Sequence, residues 1–342
     1  MTLRKLYPII LAAALVVSAA SCKKDKETAS SPAMDGMLRF DIPAFIKAKD
    51  VLIITPKGLK HPEGKGIGYY WKVTPGMAIA DTVRLENGLS PEGHESDGSF
   101  RYHFPDSLGT YTVNCYAFAT GYSSSYASSY TTVVKGGLNG SITGLGLNPS
   151  QTMTEEINGR KYTYVTVGET DWMCRNISDP SAGAPYANCK AMDDVFGRYY
   201  SYEEALTICP EGWELPSDAD WAALAKAAGA TDTENQYSDF KGIAAALMAN
   251  AYFNEEMMWE YWPAVGDITN STGFSAIPVG YANTKTCNFT GTYEYAVFWT
   301  STSVEDDDTM AYYKYFIFNE PDMFTGKADK ESFGASVRCI RK

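Results

Sequence analysis

Two patterns of apolar and polar positions divide the chain. From about residue 34 to 148, short apolar runs alternate with turn residues. Val51-Leu52-Ile53-Ile54 is a β-branched run ended by Pro56 and Gly58. Tyr69-Tyr70-Trp71-Lys72-Val73 is another, closed by Pro75-Gly76. Phe100-Arg101-Tyr102-His103-Phe104 alternates aromatic and polar residues, the period of a half-buried strand. After the turn at Asp106 to Gly109, Tyr111, Val113 and Cys115 fall on one face of a further strand. Leu85 to Gly98 carries Gly88, Pro91 and Gly93 and reads as a loop.

Beyond Gly136-Gly137 and the Gly140–Pro149 stretch, helical signals join the strands. Asn158-Gly159 links two alternating runs, a hairpin signal. Glu203-Glu204-Ala205-Leu206 starts a helix that Cys209-Pro210 ends. Ser217, with Asp220 three residues on, is an N-cap; Trp221 to Ala228 continues as a helix that Gly229 closes. The expected fold class is mainly β with an α+β C-terminal part, in two domains, 34–148 and 149–342.

The N-terminus carries an address. Arg4 and Lys5 precede a mostly apolar stretch from Tyr7 to Ala20, too short for a transmembrane helix, and Ala19, Ala20 and Ser21 lead to Cys22. This resembles a bacterial lipoprotein signal: residues 1–21 are the signal peptide and Cys22 is the lipidated mature N-terminus. Lys23-Lys24-Asp25-Lys26-Glu27 opens a flexible tether, residues 22–33, similar to that of Bacteroidetes lipoproteins exported to the cell surface. The resemblance implies an outer-membrane protein held by an N-terminal lipid anchor.

Composition narrows the partners. The 342 residues carry 29 basic and 41 acidic side chains, a net charge of −12. Nucleic-acid binding needs a basic footprint, so a nucleic-acid partner is excluded. The three histidines, His61, His94 and His103, all lie in the first third and far apart. No histidine base is therefore available to a serine or cysteine nucleophile in the second domain. No cysteine sits in a CxxC pair, and neither a P-loop nor an EF-hand loop occurs. The 24 tyrosines and 7 tryptophans suit β-rich cores and sugar- or protein-binding surfaces.

Residues Asp106 to Cys115 resemble the turn and core strand of immunoglobulin-like and polycystic-kidney-disease-type domains, with Tyr111 as the tyrosine corner and Trp71 as the buried ring. That implies an Ig-like β-sandwich over 34–148, with Cys115 as a small buried thiol.

The second domain resembles the Fibrobacter succinogenes major paralogous domain family. The matching pieces are Ile157-Asn158-Gly159-Arg160-Lys161-Tyr162, Trp172-Met173 with Asn176, Gly197-Arg198-Tyr199-Tyr200, and Cys209-Pro210-Glu211-Gly212-Trp213 with Leu215-Pro216-Ser217-Asp218 and Trp221. Gly273-Phe274-Ser275-Ala276, Phe298-Trp299-Thr300-Ser301-Thr302, Ala311-Tyr312-Tyr313 and Ser336-Val337-Arg338-Cys339 follow in order. The resemblance implies a C-type-lectin-like α+β fold, with Trp213, Trp221, Phe274 and Trp299 in the core. It also implies a disulfide between Cys209 and Cys339; Cys174 and Cys189 are candidates for a second, leaving Cys287 over.

Lectin-like domains that bind sugar often do so through calcium, a hard cation suited to oxygen ligands. Asn319-Glu320-Pro321-Asp322 resembles the acid-Pro-acid loop of such lectins. Glu305-Asp306-Asp307-Asp308 is a compact acidic run whose repulsion a cation would relieve. The calcium candidates are therefore Asp306, Asp307, Asp308, Glu320 and Asp322. Ligand-contact candidates are Tyr281, Tyr293 and Tyr295 together with Asn319, Glu320 and Asp322. The leading expectation is a non-catalytic surface lipoprotein that binds an extracellular glycan or protein. A structural or tip subunit of a surface appendage, and a carboxylate-dependent glycoside hydrolase, are the alternatives.

Overall fold

The computed structural model describes residues 31–77, 97–135, 141–259 and 266–342. Cys22, His94 and most of the Leu85–Gly98 loop lie outside the described residues. Strands dominate, and the chain divides into two compact units, Met1–Val134 and Lys135–Lys342.

The first unit is built from β1 (Asp35–Arg39), β2 (Phe45–Lys47), β3 (Val51–Ile54), β4 (Lys57–Lys60), β5 (Gly68–Pro75), β6 (Phe100–His103), β7 (Gly109–Phe118) and β8 (Ser125–Val134). Its main sheet runs β2-β8-β7-β5, with β2 parallel to β8 and the rest antiparallel. β1 pairs with β4, and β3 with β6. Trp71 anchors the core. Its ring stacks on Phe100 at 5.7 Å and meets Phe40 edge-on at 5.1 Å. Its Nε1 donates to the Gly98 carbonyl at 2.9 Å, so the one polar atom of a buried ring is satisfied. Gly98 itself has φ +82°, and a Cβ there would lie 2.3 Å from the Tyr69 ring, so only glycine fits. The Tyr111 hydroxyl donates back to the Ser107 carbonyl at 3.1 Å and pins the turn ahead of β7. Cys115 is a fully buried free thiol, and burial pushes it well above its ordinary pKa.

The second unit begins earlier than the Gly/Pro punctuation near 148 suggests. The reason is that β9 (Ile142–Thr143) pairs with a strand more than a hundred residues downstream, Tyr252–Phe253. β10 (Thr152–Ile157), β11 (Arg160–Val167) and β12 (Thr170–Met173) form an antiparallel meander. Asn158 and Gly159 make its first turn, with φ of 51° and 72°, the left-handed pair that a two-residue hairpin requires. Next come β13 (Ala184–Pro185), α1 (Asp193–Phe196), β14 (Arg198–Tyr199), α2 (Tyr202–Thr207), α3 (Asp218–Ala227) and α4 (Ala244–Leu247). α2 and α3 each start with a full capping box, Ser201 with Glu204 and Ser217 with Asp220.

The chain then forms β15 (Tyr252–Phe253), β16 (Glu256–Met257), β17 (Tyr281–Asn283), β18 (Asn288–Thr290), β19 (Tyr295–Val304), β20 (Asp307–Ile317), β21 (Phe324–Asp329), β22 (Phe333–Gly334) and β23 (Ile340–Arg341). β23 closes the sheet by pairing with β12, so the last strand of the unit joins the β10–β12 meander in one sheet. The long hairpin β19–β20 extends into β21. Trp172, Trp221, Phe274 and Phe298 interlock at 5.1–5.6 Å under one side of that hairpin, edge-to-face except for the tilted Trp221–Phe298 pair. Trp213 and Trp299 sit in a second cluster on its other side.

Cys209, two residues beyond α2, is bonded to Cys339, the residue before β23, across 130 positions. The second bridge does not form. Cys174 is a free thiol in the Trp172–Trp221 cluster, while the Cys189 thiol donates to its own turn, at the Ala187 carbonyl. Each is committed to a different buried environment.

A bridge closing so long a loop is worth about 4–5 kcal/mol on the chain-entropy estimate. Replacing Cys209 and Cys339 together by Ser is expected to lower the unfolding free energy of the second unit by about that amount. Urea unfolding of the oxidised protein and the double variant measures it.

Candidate functional site

The calcium candidates do not converge. Among the described residues no three acidic, His or Cys side chains gather as a metal set. Asp322 accepts from Lys241 Nζ and from the Gly242 amide, both at 2.8 Å, while the Pro321 carbonyl accepts from Ala244. The acid-Pro-acid loop is thus a clamp on residues 241–244. Its carboxylate holds the Lys241 pKa up through a hydrogen bond and charge. Asn319 stands exposed beside it, and Glu320 adds a weaker attraction to the same lysine. Asp306 and Glu305 form the two-residue turn between β19 and β20, and all three aspartates point to solvent. Asp307 accepts from the Thr309 amide and hydroxyl, which holds its pKa below the usual carboxylate range. A hard cation needs six to eight oxygens gathered to face it; here Asp307 is engaged by Thr309 and Asp322 by Lys241 and Gly242, and the candidates do not gather.

The tyrosine candidates fare differently. Tyr281 and Tyr295 come together, with ring centroids 6.3 Å apart. Tyr293 does not join them; it is half-buried near Tyr186 and Glu256, and burial raises its pKa. The register of β19, β20 and β21, with β22 paired to β17, adds four rings that sequence reasoning missed. Tyr315 stands opposite Phe324 and stacks on it at 5.2 Å. Tyr313 lies 5.5 Å from Tyr315 and 5.0 Å from Phe333, and Phe333 stacks on Tyr281 at 5.3 Å.

The result is one continuous, half-exposed aromatic face of Tyr281, Tyr295, Tyr313, Tyr315, Phe324 and Phe333, backed by buried Val297, Trp299, Ala311 and Ala328. Gly326 stands opposite Tyr313 and leaves room for its ring; a Cβ would fall 2.3 Å from it. Burial, then the neighbouring phenols Tyr315, Tyr281 and Tyr295, push Tyr313 up to about 12. The Tyr313 hydroxyl therefore stays protonated as a donor. Flat rings edged with hydroxyls can stack on the apolar face of a pyranose and bond its rim. One signal could have found the face: the Tyr-x-Tyr alternation at 313 and 315, which places both rings on one side of a strand.

The family-like motif residues meet elsewhere. Arg338 is fully buried. It donates to Asn176 Oδ1 at 2.7 Å and to the carbonyls of Met173, Phe274 and Ser275 at 2.6–2.9 Å. Its guanidinium lies over Phe274 at 4.7 Å and Phe298 at 5.4 Å. Asn176 reaches on to Phe196 and Ser336. Arg198 pairs with buried Asp193 at 2.8 Å and bonds the carbonyls of Ala182 and Gly183. Asp218 and Lys314, both fully buried, form an ion pair at 2.6 Å. Lys314 also donates to Gln236 and Thr325, and Thr300 donates to Asp218. Burial lowers the pKa of Lys314 against the pull of Asp218.

The two best-formed cavities each offer about 10 Å³, room for a water molecule and not for a substrate. The motif residues therefore build the fold. Arg338→Lys keeps the charge and loses the fork, leaving carbonyls unpaired. It is expected to cost about 3–5 kcal/mol, the range for breaking a buried charged network, read from the denaturant midpoint.

The family model for the Fibrobacter succinogenes major domain matches residues 154–341, more than half of the chain. The chain belongs to that family. No curated protein and no solved structure matches it.

Proposed function

We propose that this family member is a non-catalytic binding protein of the cell surface, and that the aromatic face of the second unit takes a glycan. The observation that carries the reading is the cluster of six half-exposed rings, four of them tyrosines, that the β19–β20 hairpin and the neighbouring strands β17, β21 and β22 bring together. Rings packed on a buried layer lose little entropy on binding, and each stacking contact adds about 0.5–1.5 kcal/mol. The leader and Cys22 read as a lipid anchor in the outer membrane, with residues 23–33 as the tether. The first unit then serves as an Ig-like spacer, a reading supported by the Tyr111–Ser107 bond and the Trp71 core. The second unit is read as lectin-like in fold, with a contact surface that works without calcium.

The test uses the mature chain with Cys22 replaced by Ser on a broad glycan array, with calcium and with chelator. Binding to one sugar class is expected, equal in both conditions. Tyr313→Ala and Tyr315→Ala are each expected to weaken it about three- to tenfold, from the stacking range above. Absence of binding, or binding indifferent to both substitutions, would overturn the glycan assignment. Binding lost in chelator would overturn the calcium-independent surface.

A further inference from the structure

Charges around the aromatic face are unevenly paired. Elsewhere in the second unit, ring faces carry a cation. Lys330 lies over Tyr202 at 5.1 Å, Lys327 over Tyr312 at 5.2 Å and Arg341 over Trp213 at 4.6 Å. Among the described residues no Lys or Arg lies over Tyr281, Tyr295, Tyr313, Tyr315, Phe324 or Phe333. These rings keep their electron-rich faces, which attract a cation within about 6 Å.

Asp239 stands at the Phe324 end. Its Oδ1 accepts from the Thr325 amide at 2.9 Å, which holds the carboxylate at β21, one residue along from Phe324. Asp239 is exposed, and among the described residues no cation lies at ion-pair distance from it. The lysines that feel its charge are engaged more closely by other carboxylates, Lys314 by Asp218 at 2.6 Å and Lys241 by Asp322 at 2.8 Å. Its field reaches the face: burial, and then Asp239, raise the pKa of Tyr315. Glu294, the exposed residue before Tyr295, likewise has no ion-pair partner among the described residues. Beyond β17, Lys285 is paired with Glu331 at 2.9 Å. A uronate or a sulfated sugar would thus meet uncompensated carboxylates. An ammonium is drawn by the ring faces and by the carboxylate together.

We propose that the glycan taken by this face is an amino sugar polymer with free amines, and that one ammonium lies at the Asp239 end, against Tyr315 and Phe324. This assignment rests on the glycan reading of the same face, in which the rings stack on the apolar sides of the sugars. Asp239 adds a charge-assisted hydrogen bond that an acetylated, uncharged nitrogen cannot make.

Isothermal titration calorimetry on the mature chain with Cys22→Ser tests it. A glucosamine oligomer is compared with its N-acetylated counterpart, at mildly acidic pH where the amine is protonated. The free-amine oligomer is expected to bind about three- to tenfold tighter, the combined effect of an exposed cation–π contact and a surface ion pair. The preference is expected to shrink as salt is raised. Asp239→Asn, which keeps the oxygen that accepts from Thr325, is expected to bring the two oligomers to one affinity. Tyr315→Ala is expected to weaken both. Equal affinities in the unsubstituted protein, or a preference that survives Asp239→Asn, would overturn the amine assignment and leave the glycan reading standing. Failure of both oligomers to bind would overturn it too, and uncharged sugars bound on the array would then still support the glycan reading.

Discussion

The structure of the second unit depends on how one buried guanidinium is satisfied. Arg338 ties its own segment to two others, Met173–Asn176 and Phe274–Ser275, through three carbonyl oxygens and one side-chain amide. Taking such an ion out of water costs several kcal/mol. Hydrogen bonds to a charged group return about 1.5–3 kcal/mol each, so four of them offset that cost only if all four are present. The geometry is therefore demanding. The turn at Phe274-Ser275, the end of β12 and the side chain of Asn176 must all hold position together. Ser275 meets this with φ of +61°, a strained value for a non-glycine residue that its buried bonds to Asn270 sustain.

Two further constraints make that node rigid. The Cys209–Cys339 bridge fixes the residue next to Arg338, so the guanidinium cannot withdraw by fraying of the last strand. The Lys314–Asp218 pair locks the start of α3 to the middle of β20. An ion pair buried on both sides adds little net stability, but losing either partner strands the other charge. Its value is positional: it sets how α3 lies against the hairpin, and so how the hairpin's opposite side is supported.

What could be read from the sequence was local. The Ser217–Asp220 capping box and the Asn158-Gly159 turn need only neighbours, and both signals identify their elements. The Cys209–Cys339 bridge followed from family resemblance. The aromatic face did not, because Tyr281, Tyr313 and Phe333 meet only through strand register. Asp322 was misread for the same reason: the acid-Pro-acid pattern does not reveal that Lys241, 81 residues away, occupies the carboxylate. Likewise the Gly/Pro punctuation near 148 marks a real turn region, yet β9 belongs to the second unit through its pairing with β15.

The period of a strand separates these two kinds of work. On β20, Lys314 and Phe316 point into the α3 side of the hairpin, where the core is closed and every change is felt. Tyr313 and Tyr315 point the other way, onto a layer buried beneath them but open above. Residues one position apart thus answer to different constraints. The inward set is bound by packing and by the satisfaction of buried charge. The outward set is bound by the need to stack on its neighbours, and that stacking restricts the backbone at Gly326 and Gly291, where a Cβ would fall 2.3 Å from the Tyr313 ring and 2.5 Å from the Tyr295 ring. The buried node of family motifs and the half-exposed rings are thus held by separate constraints, packing and charge satisfaction on one side of the hairpin and ring stacking on the other.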